Sequence, residues 1–156
     1  MTIAHRTTRV IIGILAMLAL AGIAVGAEVA SGLIDANTAT EAVLQQLPSM
    51  TPAIAKGLVA KRPFKTVIEL NAFLLDQKLT KDQATAFYRK AFVKINLNTG
   101  TKDEFLLIPG VATRMSAEFA EYRPWKSWAQ FDKEIGKYVG QPETDRLKQY
   151  FYLPPS

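Results

Sequence analysis

The chain contains no cysteine, which excludes disulfides and thiolate chemistry. Its single histidine, His5, lies in an N-terminal stretch with the features of an export signal. Beyond that stretch there is neither His nor Cys. A His-based triad, a Cys nucleophile and an ordinary zinc site therefore have no residues to be built from. Paired carboxylates remain chemically available, but no acidic pair stands out. The expectation is a protein that is not an enzyme, with no metal, no cofactor and no small-molecule substrate. Sustained period-two alternation is also missing, so no segment reads as a strand and the predicted fold is all-α.

What is present suits a small globular protein: 156 residues, 49 % hydrophobic and 21 % charged. Arg6 and Arg9 precede an apolar run from Val10 to Val25 that ends in Val25-Gly26-Ala27. A basic start, an apolar middle and small residues before the junction predict a secretory signal over residues 1–27, cleaved after Ala27. The length of the run leaves a retained membrane anchor as the alternative. Both readings place the folded part outside the cytoplasm, periplasmic or tethered to the membrane and facing outward. Residues 28–156 carry 17 basic and 14 acidic residues, so part of the whole-chain charge of +5 belongs to the signal.

From Asp35 onward the chain aligns with itself at an offset of 61, Pro48 over Pro109 and Arg62 over Arg123. Asn37 falls over Asn98, Ile54 over Met115, Leu58 over Phe119 and Phe64 over Trp125, so polar and apolar positions recur together. Agreement along a whole stretch implies two copies of one supersecondary unit, residues 28–94 and 95–156. Thr66-Val-Ile-Glu69, Thr80-Lys-Asp-Gln83, Thr101-Lys-Asp-Glu104 and Ser127-Trp-Ala-Gln130 each have capping-box form. Pro52 and Pro142 suit a first helical position, and Pro63 and Pro124 should end the helices before them. Helices are expected near 41–47, 52–61, 67–75, 81–91, 102–108, 113–122, 128–137 and 142–151.

The second copy carries the most informative stretch. Phe105, Leu106 and Ile108 run into Pro109-Gly110-Val111-Ala112, and a second apolar stripe follows at Met115, Phe119 and Tyr122. Two helices joined this tightly must pack together, with Val111 plugging the corner and Gly110 free to take φ > 0. The amides that open the second helix then point outward as an anion site backed by the helix dipole. This resembles a helix-hairpin-helix motif. With Ile95-Asn-Leu-Asn-Thr-Gly-Thr101 and Tyr122-Arg123, each copy resembles the extracytoplasmic module of bacterial competence DNA receptors (ComEA-like). Asp35-Ala-Asn-Thr-Ala-Thr40 with Leu47-Pro48 matches more loosely. The resemblance implies two tandem helix-hairpin-helix modules that grip the sugar-phosphate backbone of double-stranded DNA without reading sequence. A related module serves as an extrinsic subunit of photosystem II, so a membrane-complex protein is the alternative partner.

On this reading the phosphate site comprises Gly110, Val111, Ala112, Thr113, Arg114 and Lys126, with a second site in the first copy at Thr51, Lys56 and Lys65. Departures weaken the pattern. Ala112 stands where the family has its second hairpin glycine, and Ser49-Met50-Thr51 replaces the glycines of the first copy. The later corners, around Asp76-Gln-Lys-Leu79 and Val139-Gly-Gln141, carry no Pro-Gly pair. Residues 95–156 are electrically balanced, eight basic against eight acidic, whereas residues 28–94 hold nine against six. Arg62 and Arg123, each before proline, are expected to cap helix C-terminal carbonyls in competition with ligand binding. Trp125, Trp128 and Phe131 read as core or seam rather than as a base-stacking platform.

Overall fold

A computed structural model describes residues 32–155; the expected signal or anchor lies outside them. The described chain is mostly helical, in two successive sets of elements. The first runs β1 (Ile34–Asp35), α1 (Glu41–Gln45), α2 (Pro52–Lys61), α3 (Val67–Asp76), α4 (Lys81–Tyr88) and β2 (Ala91–Phe92). The second runs β3 (Ile95–Asn96), α5 (Lys102–Leu106), α6 (Thr113–Glu121), α7 (Trp128–Val139), α8 (Gln141–Lys148) and β4 (Phe151–Tyr152). Starts recur at a spacing of 61 for the leading strand and the first three helices, and of 60 for the fourth helix and the closing strand.

The mostly helical chain agrees with the all-α expectation, and four two-residue strands stand beside the helices. β1 pairs parallel with β2, and β3 with β4, each over two residues. Ile34 N–H donates to Lys90 O and Ala36 N–H to Phe92 O, both at 2.9 Å. Ile95 N–H reaches Tyr150 O at 2.9 Å and Leu97 N–H reaches Tyr152 O at 3.1 Å. Two residues cannot display an alternation, so nothing in the sequence pattern marks them. They also explain why α4 and α8 stop at Tyr88 and Lys148, about three residues early: the chain leaves the helix to pair.

Helix starts follow side-chain chemistry. Thr80 and Thr101 form complete reciprocal boxes with Gln83 and Glu104. Thr66 and Ser127 accept from the Glu69 and Gln130 amides, but the return bonds go one residue further back, to Lys65 N–H at 2.8 Å and Lys126 N–H at 2.9 Å. Pro52 opens α2, and Pro142 sits one residue inside α8.

One continuous apolar core spans both sets. Phe105, Phe119, Phe131 and Phe151 are fully buried in the second set, with Phe119 5.1 Å from Phe151. Leu44, Leu58, Leu70 and Leu74 fill the first. Across the seam Phe92 meets Tyr150 edge-on at 4.9 Å, and Tyr150 Oη donates to Tyr88 O at 3.2 Å. Trp125 and Phe131 are core, and Trp128 is half-buried against Phe131, so these rings offer no exposed stack.

The Asn and Arg recurrences turn out to be one clamp made twice. Asn98 Nδ2 donates to Trp125 O at 2.9 Å while Trp125 N–H donates to Asn98 Oδ1 at 2.6 Å. Asn37 does the same with Phe64, at 2.9 and 2.8 Å. Arg123 donates to Leu97 O and Gly100 O, at 3.0 and 2.5 Å, and Arg62 to Ala39 O at 2.7 Å. These acceptors belong to the loops before α5 and α1, not to helix C-termini, which corrects the expected capping role. Both arginines have their pKa lowered, first by burial, with Glu104 and Asp35 respectively opposing it.

Candidate functional site

The α5–α6 corner is built as its residues dictate. Ile108 and Pro109 are buried and Val111 half-buried against the core. Gly110 takes φ +85°, and Val111 N–H closes the turn on Ile108 O at 3.0 Å. Only glycine occupies this φ without strain. Ala112 then stands at the N-cap of α6 in extended conformation, and no side chain caps the helix's first amides. Gly110, Ala112, Thr113 and Arg114 are exposed, so these donors face solvent together.

The α7–α8 corner is tighter still. Gly140 alone ends α7 and begins α8, at φ +78° and ψ 167°, a region essentially closed to other residues. α8 also lacks a side-chain cap. The sequence marks this corner at Val139-Gly-Gln141 without a Pro-Gly pair, and the lone glycine between two helical patterns suffices to make it. Arg146, missed in the sequence, secures the first corner from the second. Its Nη2 donates to Pro109 O at 2.8 Å while Glu143 holds the guanidinium at 2.7 Å. That bond draws the Glu143 pKa down and the Arg146 pKa up.

The Gly110 corner edges an open groove of about 450 Å³ between α6, α7 and α8, which Gly140 does not line. Gly110, Met115 and Val139 line it with Arg114, Glu118, Lys137, Tyr138 and Glu143, two cations against two anions. Lys137 is already engaged, donating to Tyr122 Oη at 2.8 Å and Glu134 Oε2 at 2.9 Å; those bonds raise its pKa. The Tyr138 pKa is pushed up to about 12, chiefly by its hydrogen bond with Tyr122, so it stays a neutral hydroxyl. Arg114 lies 6.0 Å from the Tyr138 ring centroid and makes no ion pair among the described residues.

The structure thus brings Gly110, Val111, Ala112, Thr113 and Arg114 together, but not Lys126. Lys126 follows the far end of α6, roughly 13 Å along the axis from Thr113. In the first set Thr51 caps α2 with its own hydroxyl, accepting Ile54 N–H at 3.2 Å, and Thr80 treats α4 alike. Those amides are already occupied. Lys56 is exposed on α2, and Lys65 lies past the other end of it. Ser49 shares the left-handed conformation of Gly110, at φ +62°. Among the described residues there is no group of three metal-ligating side chains, and no helix long and apolar enough to cross a membrane.

No family profile and no solved structure matches the chain. A 45-residue stretch is 47 % identical to photosystem II extrinsic protein U of the Cyanophora paradoxa cyanelle. It covers 29 % of this chain and only 27 % of that protein.

Proposed function

We propose that the chain is an exported, non-catalytic binding protein of two tandem helix-hairpin-helix modules. Its second module binds double-stranded DNA through backbone phosphates. The observation that carries this reading is the Gly110 corner with the uncapped start of α6, edging a groove that Arg114 and Lys137 also line. Amides at a helix N-terminus suit a phosphate oxygen in charge and geometry. The first module's corners are closed by Thr51 and Thr80, so binding is one-sided. Cations at the site are few, and contact with roughly two to four phosphates predicts a log–log salt slope of about −2 to −4. Affinity should vary little with sequence, because phosphate contacts position without specifying. The test is a duplex gel-shift titration at low salt, run for the parent and for Gly110→Val after circular dichroism has verified folding. A folded Gly110→Val protein that binds as well as the parent would remove the corner from the mechanism.

A second reading has its own observations: the likeness to an extrinsic photosystem II protein, and a groove whose charges cancel. Here the chain docks on a membrane complex, with its corners serving as structure. Such a subunit sediments with membranes and is released by a concentrated salt wash. Recovery in the soluble fraction without any wash counts against it. N-terminal sequencing of the exported material should begin at Glu28.

A further inference from the structure

The α5–α6 corner has a second flank, facing the first set of helices. There Leu106 to Val111 meet α3 and α4 across a groove of about 340 Å³. Its single charged lining residue is Lys81, the first residue of α4; no carboxylate lines it. Lys81 is exposed and has no ion-pair partner among the described residues. Asn71 also lines the groove, and its Oδ1 is taken by the Tyr88 hydroxyl at 2.8 Å, which leaves the amide nitrogen as a donor. The two flanks of Gly110 therefore differ in net charge. The α6–α8 side balances two cations with two anions, whereas the seam side is net positive and carboxylate-free.

We infer that Lys81 of the first set completes the phosphate site at the Gly110 corner, so that the duplex backbone is held across the seam between the two sets. The inference rests on the duplex-binding reading above and adds a binding residue to it. It also gives the first set a role despite its closed corners. Its excess positive charge is put to use at a corner in the electrically balanced second set. An exposed cation lining the same groove as a glycine corner favours a phosphate on this flank by Coulomb attraction that salt weakens. Lys81 and Gly110 line the same groove, which places the lysine on the corner's seam side.

The test is a set of duplex titrations between about 20 and 200 mM salt. The full chain is compared with Lys81→Gln, Lys81→Arg and Lys90→Gln, all checked for unchanged helicity. Lys90 follows the far end of α4, about 12 Å along the axis from Lys81, and controls for loss of one formal charge. Lys81→Gln should bind roughly three- to tenfold more weakly at the low-salt end, with a slope shallower by about 0.9. Lys81→Arg should stay near the parent. If the parent and Lys90→Gln bind and Lys81→Gln matches them in affinity and slope, the Lys81 assignment is overturned and the duplex reading stands. If the parent does not bind duplex even at low salt, the duplex reading falls and the Lys81 role with it.

Discussion

Removing the Asn98 side chain tests the clamp on which both sets depend. Asn98→Ala deletes two hydrogen bonds to the Trp125 backbone, at 2.9 and 2.6 Å, in a half-buried setting. A net hydrogen bond contributes about 1 kcal/mol, and a stranded buried partner costs about 1–3 kcal/mol. Trp125 N–H and C=O are left without that partner but within partial reach of water, so a total loss of about 2–3 kcal/mol is expected. In a chain of this size that lowers Tm by roughly 6–12 °C. Asn98→Asp keeps the acceptor for Trp125 N–H but turns the donor into an oxygen facing the Trp125 carbonyl, so it should recover less than half of the loss. Asn37→Ala should cost a similar amount, because its bonds to Phe64 repeat the geometry. With no shared partner, the double variant should be additive within about 0.5 kcal/mol. Urea unfolding followed by circular dichroism measures each value, with the slope m showing whether the transition stays two-state. An Asn98→Ala loss under about 0.5 kcal/mol at unchanged m would refute the clamp as a main stabilising feature.

Gly140→Ala should destabilise by about 1–3 kcal/mol although no atom lies within 4 Å of the added Cβ, because φ +78° with ψ 167° is the obstacle; chemical denaturation reads it. Ser49→Gly should be neutral or stabilising by up to about 1 kcal/mol, since Ser49 already sits at φ +62°, and a measured loss above that would contradict the strain argument. A Cβ at Gly100 would run into Ile95 Cγ2, and would meet the Phe105 ring at 2.7 Å and the Asn96 carbonyl oxygen at 2.9 Å. The expected cost of Gly100→Ala is about 1–3 kcal/mol, visible as a lower urea midpoint. Glu143 binds Arg146 and titrates below its ordinary value, so its stabilisation is present above the unfolded pKa and lost as pH falls through the folded one. Stability should fall below about pH 4, and Glu143→Gln should flatten that limb of a Tm-versus-pH curve.

Helix positions were legible because the residues that start helices are chemically specific. Thr80 and Thr101 announce their boxes through Gln83 and Glu104, and Pro52 marks the opening of α2. Glycine at the α5–α6 corner was legible for the same reason: Gly110 follows proline between two apolar stripes. The partners of Arg62 and Arg123 were not, because which carbonyls approach a guanidinium depends on how the chain folds back over more than 20 residues. The α7–α8 corner was legible at Val139-Gly-Gln141 but its tightness was not, because Gly140 alone does the work usually spread over a turn. Lys126 was expected on the rim of the corner, yet α6 stands between them. Lys81 was invisible as a neighbour of Gly110, since only tertiary packing brings α3 and α4 beside the end of α5 and its corner.

The paired strands also carry a kinetic consequence. β1–β2 ties residues 57 apart and β3–β4 ties residues 56 apart, whereas the helical corners close over a handful. Loop-closure entropy grows as (3/2)RT ln n, so each tie costs about 2 kcal/mol more to close than a corner. Only after the four helices of a set have shortened the gap do two residues of ladder suffice to hold it. Each tie encloses just one set of helices, so neither must wait for the other. The seam contact of Tyr150 with Tyr88 and Phe92 joins the two closed rings of chain.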